Sequence, residues 1–171
     1  MKPLRGTLGV LIGSAILTLI GCTDRGAVAP DVGTINAAAN ATNGERGLLP
    51  CRPVAYDSAT VRIGTRGGSI RVGRHVLTIP PYALTGSVKI TAIAPSDTVN
   101  RLEFRPEGLV FRFPATLTMS YANCAASSLS KGIAYTTDSL VILEYLRARD
   151  DAAGKKVTGG VSHFSSYAVS W

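Results

Sequence analysis

Charge is sparse in this sequence. Asp, Glu, Lys and Arg make up 17% of 171 residues, against a hydrophobic share of 46%. So apolar a chain is not disordered throughout, and it has material for one folded domain plus a tail. Histidines number two and cysteines three. His75 and His163 show no paired ligand spacing with the cysteines, so no metal site and no cofactor are expected. There is no Gly-x-Ser-x-Gly elbow and no phosphate-binding loop. A Ser-His-Asp set would need His75 or His163 with Asp57 or Asp138, and no spacing joins them. Conventional catalysis is therefore not expected. No sustained 3.6-residue period occurs after residue 50, so helices there are single turns at most.

No apolar run reaches the roughly 20 residues that span a bilayer. Leu8 to Ile20 is apolar for only 13 residues, behind Lys2 and Arg5. This fits the h-region and n-region of a secretory signal peptide. Leu19-Ile20-Gly21-Cys22 resembles the lipobox of bacterial lipoproteins, which are cut before the cysteine and acylated on its thiol. Ile20 stands where a small residue is commoner. Cleavage after Ala27-Val28-Ala29 competes poorly, because it lies far beyond the apolar run and Pro30 follows. Residues 1–21 are thus expected to be a signal peptide, and Cys22 the membrane anchor. A multiply acylated cysteine holds firmly, at about 0.8 kcal/mol per buried methylene. Thr23, not Asp, follows the anchor, which resembles the outer-membrane sorting pattern of Gram-negative lipoproteins. The expected location is the bacterial cell envelope, lipid-anchored, facing the periplasm or the surface. An exported protein does not ordinarily meet nucleic acid.

Residues 22–49 read as a tether, rich in Ala, Gly, Asn and Thr. As coil it spans roughly 30 Å, and about 90 Å fully extended. Asn40-Ala41-Thr42 matches a glycosylation sequon that carries little weight in a bacterial envelope. With Cys22 acylated, Cys51 and Cys124 remain, an even number in an oxidising compartment, and a disulfide is expected.

Residues 50–171 read as all-β. The expected strands are Val54–Tyr56, Thr60–Ile63, Ser69–Val72, Val76–Ile79, Val88–Ala94, Leu102–Phe104, Ala115–Tyr121, Ile133–Thr136, Leu140–Arg147, Lys156–Thr158 and Tyr167–Val169. Turn formers fall between them, at Arg66-Gly67-Gly68, Pro80-Pro81, Thr85-Gly86, Pro106-Glu107-Gly108 and Ala153-Gly154. Many short strands with regular turns suggest an antiparallel β-sandwich. Leu140–Leu146 is apolar on both faces, which predicts a central strand. Ala148 to Lys155 reads as a hairpin loop. Pro114 withholds a ladder donor, which suits an edge or a strand start.

Three blocks then resemble one family. Gly67-Gly68-Ser69-Ile70 followed by His75-Val76-Leu77-Thr78-Ile79-Pro80-Pro81-Tyr82-Ala83-Leu84 is similar to the opening of the ZU-five domain, with Tyr82 where that family usually has Gly. Arg105-Pro106-Glu107-Gly108-Leu109-Val110-Phe111 with Phe113-Pro114-Ala115-Thr116-Leu117-Thr118-Met119 resembles its central signature, and His163-Phe164-Ser165-Ser166-Tyr167 its close. The resemblance covers roughly residues 66–171 and implies a β-sandwich. In some relatives the His-Phe-Ser sequence cuts itself by an N-to-O acyl shift. By that resemblance His163 would move protons, Phe164 supply the carbonyl and Ser165 attack. Yet only Ser165 to Trp171 lies beyond the bond, and Phe164 also reads as a core residue of the last strand.

The expected function is a non-catalytic interaction or structural module with a protein partner. The alternatives are self-cleavage between Phe164 and Ser165, and binding of an anionic envelope polymer or lipid. The basic residues decide the last. Lys and Arg outnumber Asp and Glu, 18 to 11, without a run of five or six. A contiguous patch of Arg62, Arg66, Arg71, Arg74, Arg105 and Arg112 would favour the polymer, and dispersal a protein.

Overall fold

Residues 46–171 are described by the computed structural model. The expected signal peptide, Cys22, Thr23, the sequon and the tether up to residue 45 lie outside the described residues. Alternating polarity in short β-branched runs builds eleven strands: β1 (Asp57–Ile63), β2 (Gly68–Val72), β3 (His75–Ile79), β4 (Val88–Ala94), β5 (Arg101–Arg105), β6 (Val110–Ser120), β7 (Gly132–Thr136), β8 (Ile142–Leu146), β9 (Ala148–Asp151), β10 (Lys156–His163) and β11 (Ser166–Ser170). A six-stranded sheet runs β1-β4-β5-β11-β7-β8 and a five-stranded sheet β2-β3-β6-β10-β9. The pairings are antiparallel. The described residues contain no helix, and the architecture is a β-sandwich.

The period of two sets which side chains meet between the sheets. Ile90, Ala92, Leu102, Phe104, Ile133, Tyr167 and Val169 come from the six-stranded sheet, and Leu77, Ile79, Ala115, Leu117, Met119, Val157 and Val161 from the five-stranded one. Most are fully buried. Each large aliphatic side chain so placed contributes roughly 1.5–3 kcal/mol of apolar transfer. Cys51 and Cys124 form the expected disulfide, 73 residues apart in sequence. It pins the start of the domain to the loop after β6.

Several expectations are corrected. Val54–Tyr56 is not a strand: it runs exposed and unpaired, next to Pro53, which has no N–H to give a ladder. β8 is an edge strand, not a central one. Val141 and Leu143 on one face are about half exposed. Leu140, Ile142 and Tyr145 pack on a small separate cluster of Leu48, Val99, Ala134 and Ala168. Ala148 to Lys155 is only partly a loop, because Ala148–Asp151 forms β9 and pairs with β10 in the opposite sheet. The chain changes sheets at Arg147, which leaves β8 at its edge. Pro114 lies neither at an edge nor at a strand start but inside β6. There the β6–β10 ladder shifts register, from Ala115 opposite Val161 to Val110 opposite His163. β3 pairs only with Thr116 to Thr118. The missing N–H therefore costs no ladder bond.

Arg46 to Leu49, read from the sequence as tether, are part of the packed unit. Leu49 is fully buried and donates its N–H to Val169 O at 2.9 Å. Leu48 bridges Ser170, and the Arg46 guanidinium lies 4.3 Å from the Tyr145 ring centre.

Candidate functional site

His163-Phe164-Ser165 forms a crossover between the sheets. β10 ends at His163 in the five-stranded sheet, and β11 begins at Ser166 in the six-stranded one. The turn at Pro106-Glu107-Gly108 makes the reverse crossing, from β5 to β6. The two crossings are bonded together. Gly108 N donates to Phe164 O at 3.0 Å, Phe164 N to Leu109 O at 2.8 Å, and Phe104 N to Ser165 O at 3.2 Å. Gly108 has φ of 74°, the left-handed conformation that glycine takes without a steric cost. The Phe164 ring stacks on Phe104 at 5.0 Å and meets Phe111 edge-on at 5.0 Å. Such aromatic pairs add about 0.5–1.5 kcal/mol beyond their buried area.

The three residues of the self-cleavage hypothesis are adjacent but engaged elsewhere. The His163 ring packs edge-on against Tyr135 at 5.0 Å, and Tyr167 Oη donates to His163 O at 2.6 Å. Burial first, then Tyr135 and Glu144, push the Tyr167 hydroxyl well above its usual pKa, so it stays a donor. His163 and the Ser165 hydroxyl share no hydrogen bond among the described residues. The neighbouring Ser166 Oγ donates instead to Asp138 Oδ1 at 2.7 Å. Positive φ among non-glycine described residues occurs at Tyr82, Leu140 and Lys155, none of them in this crossover.

The arginines fall into more than one group. Arg105 lies within 4.0 Å of Glu103, Glu107 and Asp138, and Arg101 bonds Asp97 and Glu103. Arg62 faces Lys89 across β1 and β4, and shares a cleft of about 390 Å³ with Arg66. Arg71 lies on β2 in the other sheet, opposite Val76. Arg74 stands in the β2–β3 turn and Arg112 on β6. No single patch collects all six.

The feature the sequence did not disclose lies where β3 ends. Tyr82 has φ of 64°, in the left-handed region that L-residues avoid at about 1–2 kcal/mol. Its N–H donates to Thr65 O at 2.7 Å, and the next residue, Ala83, accepts from Arg112 N at 3.0 Å. These two bonds fix the loop and hold the backbone in place. The ring itself is 69% exposed. Phe113, beside Arg112, is 52% exposed, and Val110 on the same strand is 70% exposed. The loop backbone thus ties Tyr82 to Thr65, which precedes Arg66, and Ala83 to Arg112, which precedes Phe113. The one sequence signal was Tyr82 standing at a Gly position of the ZU-five pattern. Phe113 gave none, because straight alternation places it inside with Phe111 and Ala115, and the irregularity at Pro114 turns it outward.

His75, at the other end of β3, is buried. Its Nδ1 accepts from Ser120 N at 3.2 Å. Burial, and then the charge of Arg74, push its pKa down to about 4, so the ring is neutral near pH 7. His75 and Asp57 do line one cavity, although Asp57 is bonded to Ser58 and Gly73 backbone rather than to the imidazole. No group of three or more His, Cys, Asp or Glu among the described residues is placed to hold a metal. No helix among them is long and apolar enough to cross a membrane.

No protein-family model and no curated protein matches the sequence.

Proposed function

We propose that this chain is a lipid-anchored cell-envelope protein whose ZU-five-like β-sandwich binds a protein partner and performs no conventional catalysis. Cys22 carries the lipid, the tether gives the domain its reach, and the outer membrane is the membrane proposed. Tyr82 carries the reading. An aromatic ring held out in solvent on a left-handed backbone costs stability and gains little packing, and such outliers concentrate where a surface does work. Phe113 and Val110 are further exposed apolar side chains, of the kind protein partners cover. Ion pairing of Arg105, and the placing of Arg62 and Arg71 on different sheets, argue against an anionic polymer as the principal ligand.

The test is retention of an envelope protein on the immobilised mature chain. Binding is expected to persist at about 0.5 M salt, where exposed charges are screened. It should be lost with Tyr82→Ala plus Phe113→Ser, and kept with Leu143→Ser on edge strand β8. Retention that collapses with salt and ignores the Tyr82 and Phe113 changes would instead support the anionic-polymer reading.

Self-cleavage is the second reading, and one observation favours it. Gly108 N donates to Phe164 O, the oxygen on which negative charge would develop during attack by Ser165. Against it stand the buried, stacked Phe164 and the crossover's ordinary backbone. Intact mass decides: a single uncut species, unchanged by Ser165→Ala, removes this reading.

A further inference from the structure

A cavity of about 230 Å³ opens at the start of β3, at the opposite end of that strand from Tyr82. Its walls come from five parts of the chain: the exposed segment at Val54 and Ala55 with Asp57, the β2–β3 turn at Gly73 and Arg74 with His75, Ala94 at the end of β4, Asn100, and Ser120 with Asn123. The lining is mostly apolar, with a few polar groups fixed in position.

His75 is the first of these. Ser120 N–H occupies its Nδ1, so the proton of the neutral ring sits on Nε2. The ring's Cδ2 lies 3.9 Å from where a β-carbon on Gly73 would stand, so the Cδ2–Nε2 edge faces the lining turn. Nε2 meets no protein acceptor among the described residues. The Asn100–Asn123 pair adjoins His75 through Ser120. Asn100 Nδ2 donates to Ser120 O at 2.8 Å and to Asn123 Oδ1 at 2.8 Å, while Asn123 Nδ2 returns a bond to Asn100 Oδ1 at 3.0 Å. Ser120 is thus held at both its N–H and its carbonyl. Asp57 brings a negative charge to the rim, but its oxygens accept from Ser58 N at 2.8 Å and Gly73 N at 2.6 Å. Arg74 has no ion pair among the described residues.

Two donors thus have no protein acceptor among the described residues, the His75 Nε2–H and the Arg74 guanidinium, beside an apolar wall that also carries the Asp57 carboxylate. A buried imidazole donor and a surface guanidinium over an apolar cavity match a compact anionic acceptor on a short hydrocarbon body. We propose that this cavity binds a small apolar carboxylate, with its oxygens on Arg74 and His75 Nε2–H and its apolar part against Val54, Ala55 and Ala94. The cavity is below the usual range for drug-sized ligands, roughly 300–1,000 Å³, which restricts the occupant to a short acid or the last residue of a peptide. This site is independent of the Tyr82 face.

Hexanoate is the probe, titrated against the isotopically labelled mature chain carrying Cys22→Ser, which alters only the anchor. The His75 Nε2 and Ser120 amide resonances are expected to shift saturably, while hexanol at the same concentrations leaves them in place. Arg74→Gln, on the surface, should weaken hexanoate by about tenfold or more, as loss of a charge-assisted bond does. Ala55→Trp, at the exposed rim, should block it while the rest of the spectrum stays folded. N-acetyl-leucyl-valine and its amide separate the sources: tighter binding of the free-acid peptide than of hexanoate assigns the site to a chain terminus, and the reverse to a free acid. The absence of saturable shifts, equal shifts with hexanol, or an unchanged affinity in Arg74→Gln would overturn the proposal.

Discussion

Replacing Tyr82 by glycine should stabilise this protein relative to replacing it by alanine. Both changes remove the ring, so any loss of packing is common to them. They differ in the backbone. At φ of 64° an alanine keeps the steric clash of a left-handed L-residue, about 1–2 kcal/mol, and glycine does not. Glycine in turn frees the unfolded chain, which takes back roughly 0.5–1 kcal/mol. The balance favours Tyr82→Gly over Tyr82→Ala by about 0.5–1 kcal/mol. For a domain of this size that is roughly 2–4 °C in Tm. Denaturant unfolding of the three proteins with a common m value measures the difference. If alanine equals or exceeds glycine, Tyr82 is not strained, and the argument that its ring is kept for a surface role loses its basis.

Gly67→Ala should be far more damaging than Gly108→Ala. Both glycines have left-handed φ, 70° and 74°. A β-carbon on Gly67 would stand 2.7 Å from the Pro80 carbonyl carbon, whereas one on Gly108 meets nothing within 4 Å. Chemical unfolding should show about 1 kcal/mol lost at Gly108 and at least about 2–3 kcal/mol at Gly67. Removing the disulfide with Cys51→Ala plus Cys124→Ala should cost up to about 4.5 kcal/mol by the loop-entropy relation for a loop of this length, read as a fall in denaturant midpoint. Acid should destabilise the protein through His75. Its folded pKa of about 4 lies below the unfolded 6.5, so the unfolded chain takes up the proton first. The stability present above pH 6.5 is lost as pH falls towards 4, by roughly 3 kcal/mol in all. Against His75→Asn, the wild-type stability-versus-pH curve should show that extra fall in this window.

The sandwich was legible because its strands obey the simplest rule. β2, β3 and β4 alternate in polarity, and glycine and proline mark their ends, so their positions follow from local sequence alone. The edge position of β8 was not legible. Apolar residues on both faces signal burial on both sides, but Val141 and Leu143 are about half exposed, and Leu140, Ile142 and Tyr145 pack on a small cluster with Leu48 rather than on a flanking strand. That contact joins residues nearly a hundred positions apart, and local pattern carries no trace of it. Pro114 misled for a related reason. A proline can sit within a central strand where a bulge has already broken the ladder, and the bulge depends on how β10 is paired. The His-Phe-Ser crossover was visible as a motif, but its lock on the Gly108 turn exists only in three dimensions. The left-handed Tyr82 was half visible, as a tyrosine at a glycine position, and its exposure decided its meaning.

The most direct measurement is site-specific photo-crosslinking in intact cells, with the probe placed in turn at positions 82, 113 and 143. If the sandwich is an interaction module working through the Tyr82 face, probes at 82 and 113 will capture the same protein, and the probe at 143 will not. Capture of no protein from 82 and 113, or the same pattern from all three positions, would contradict it.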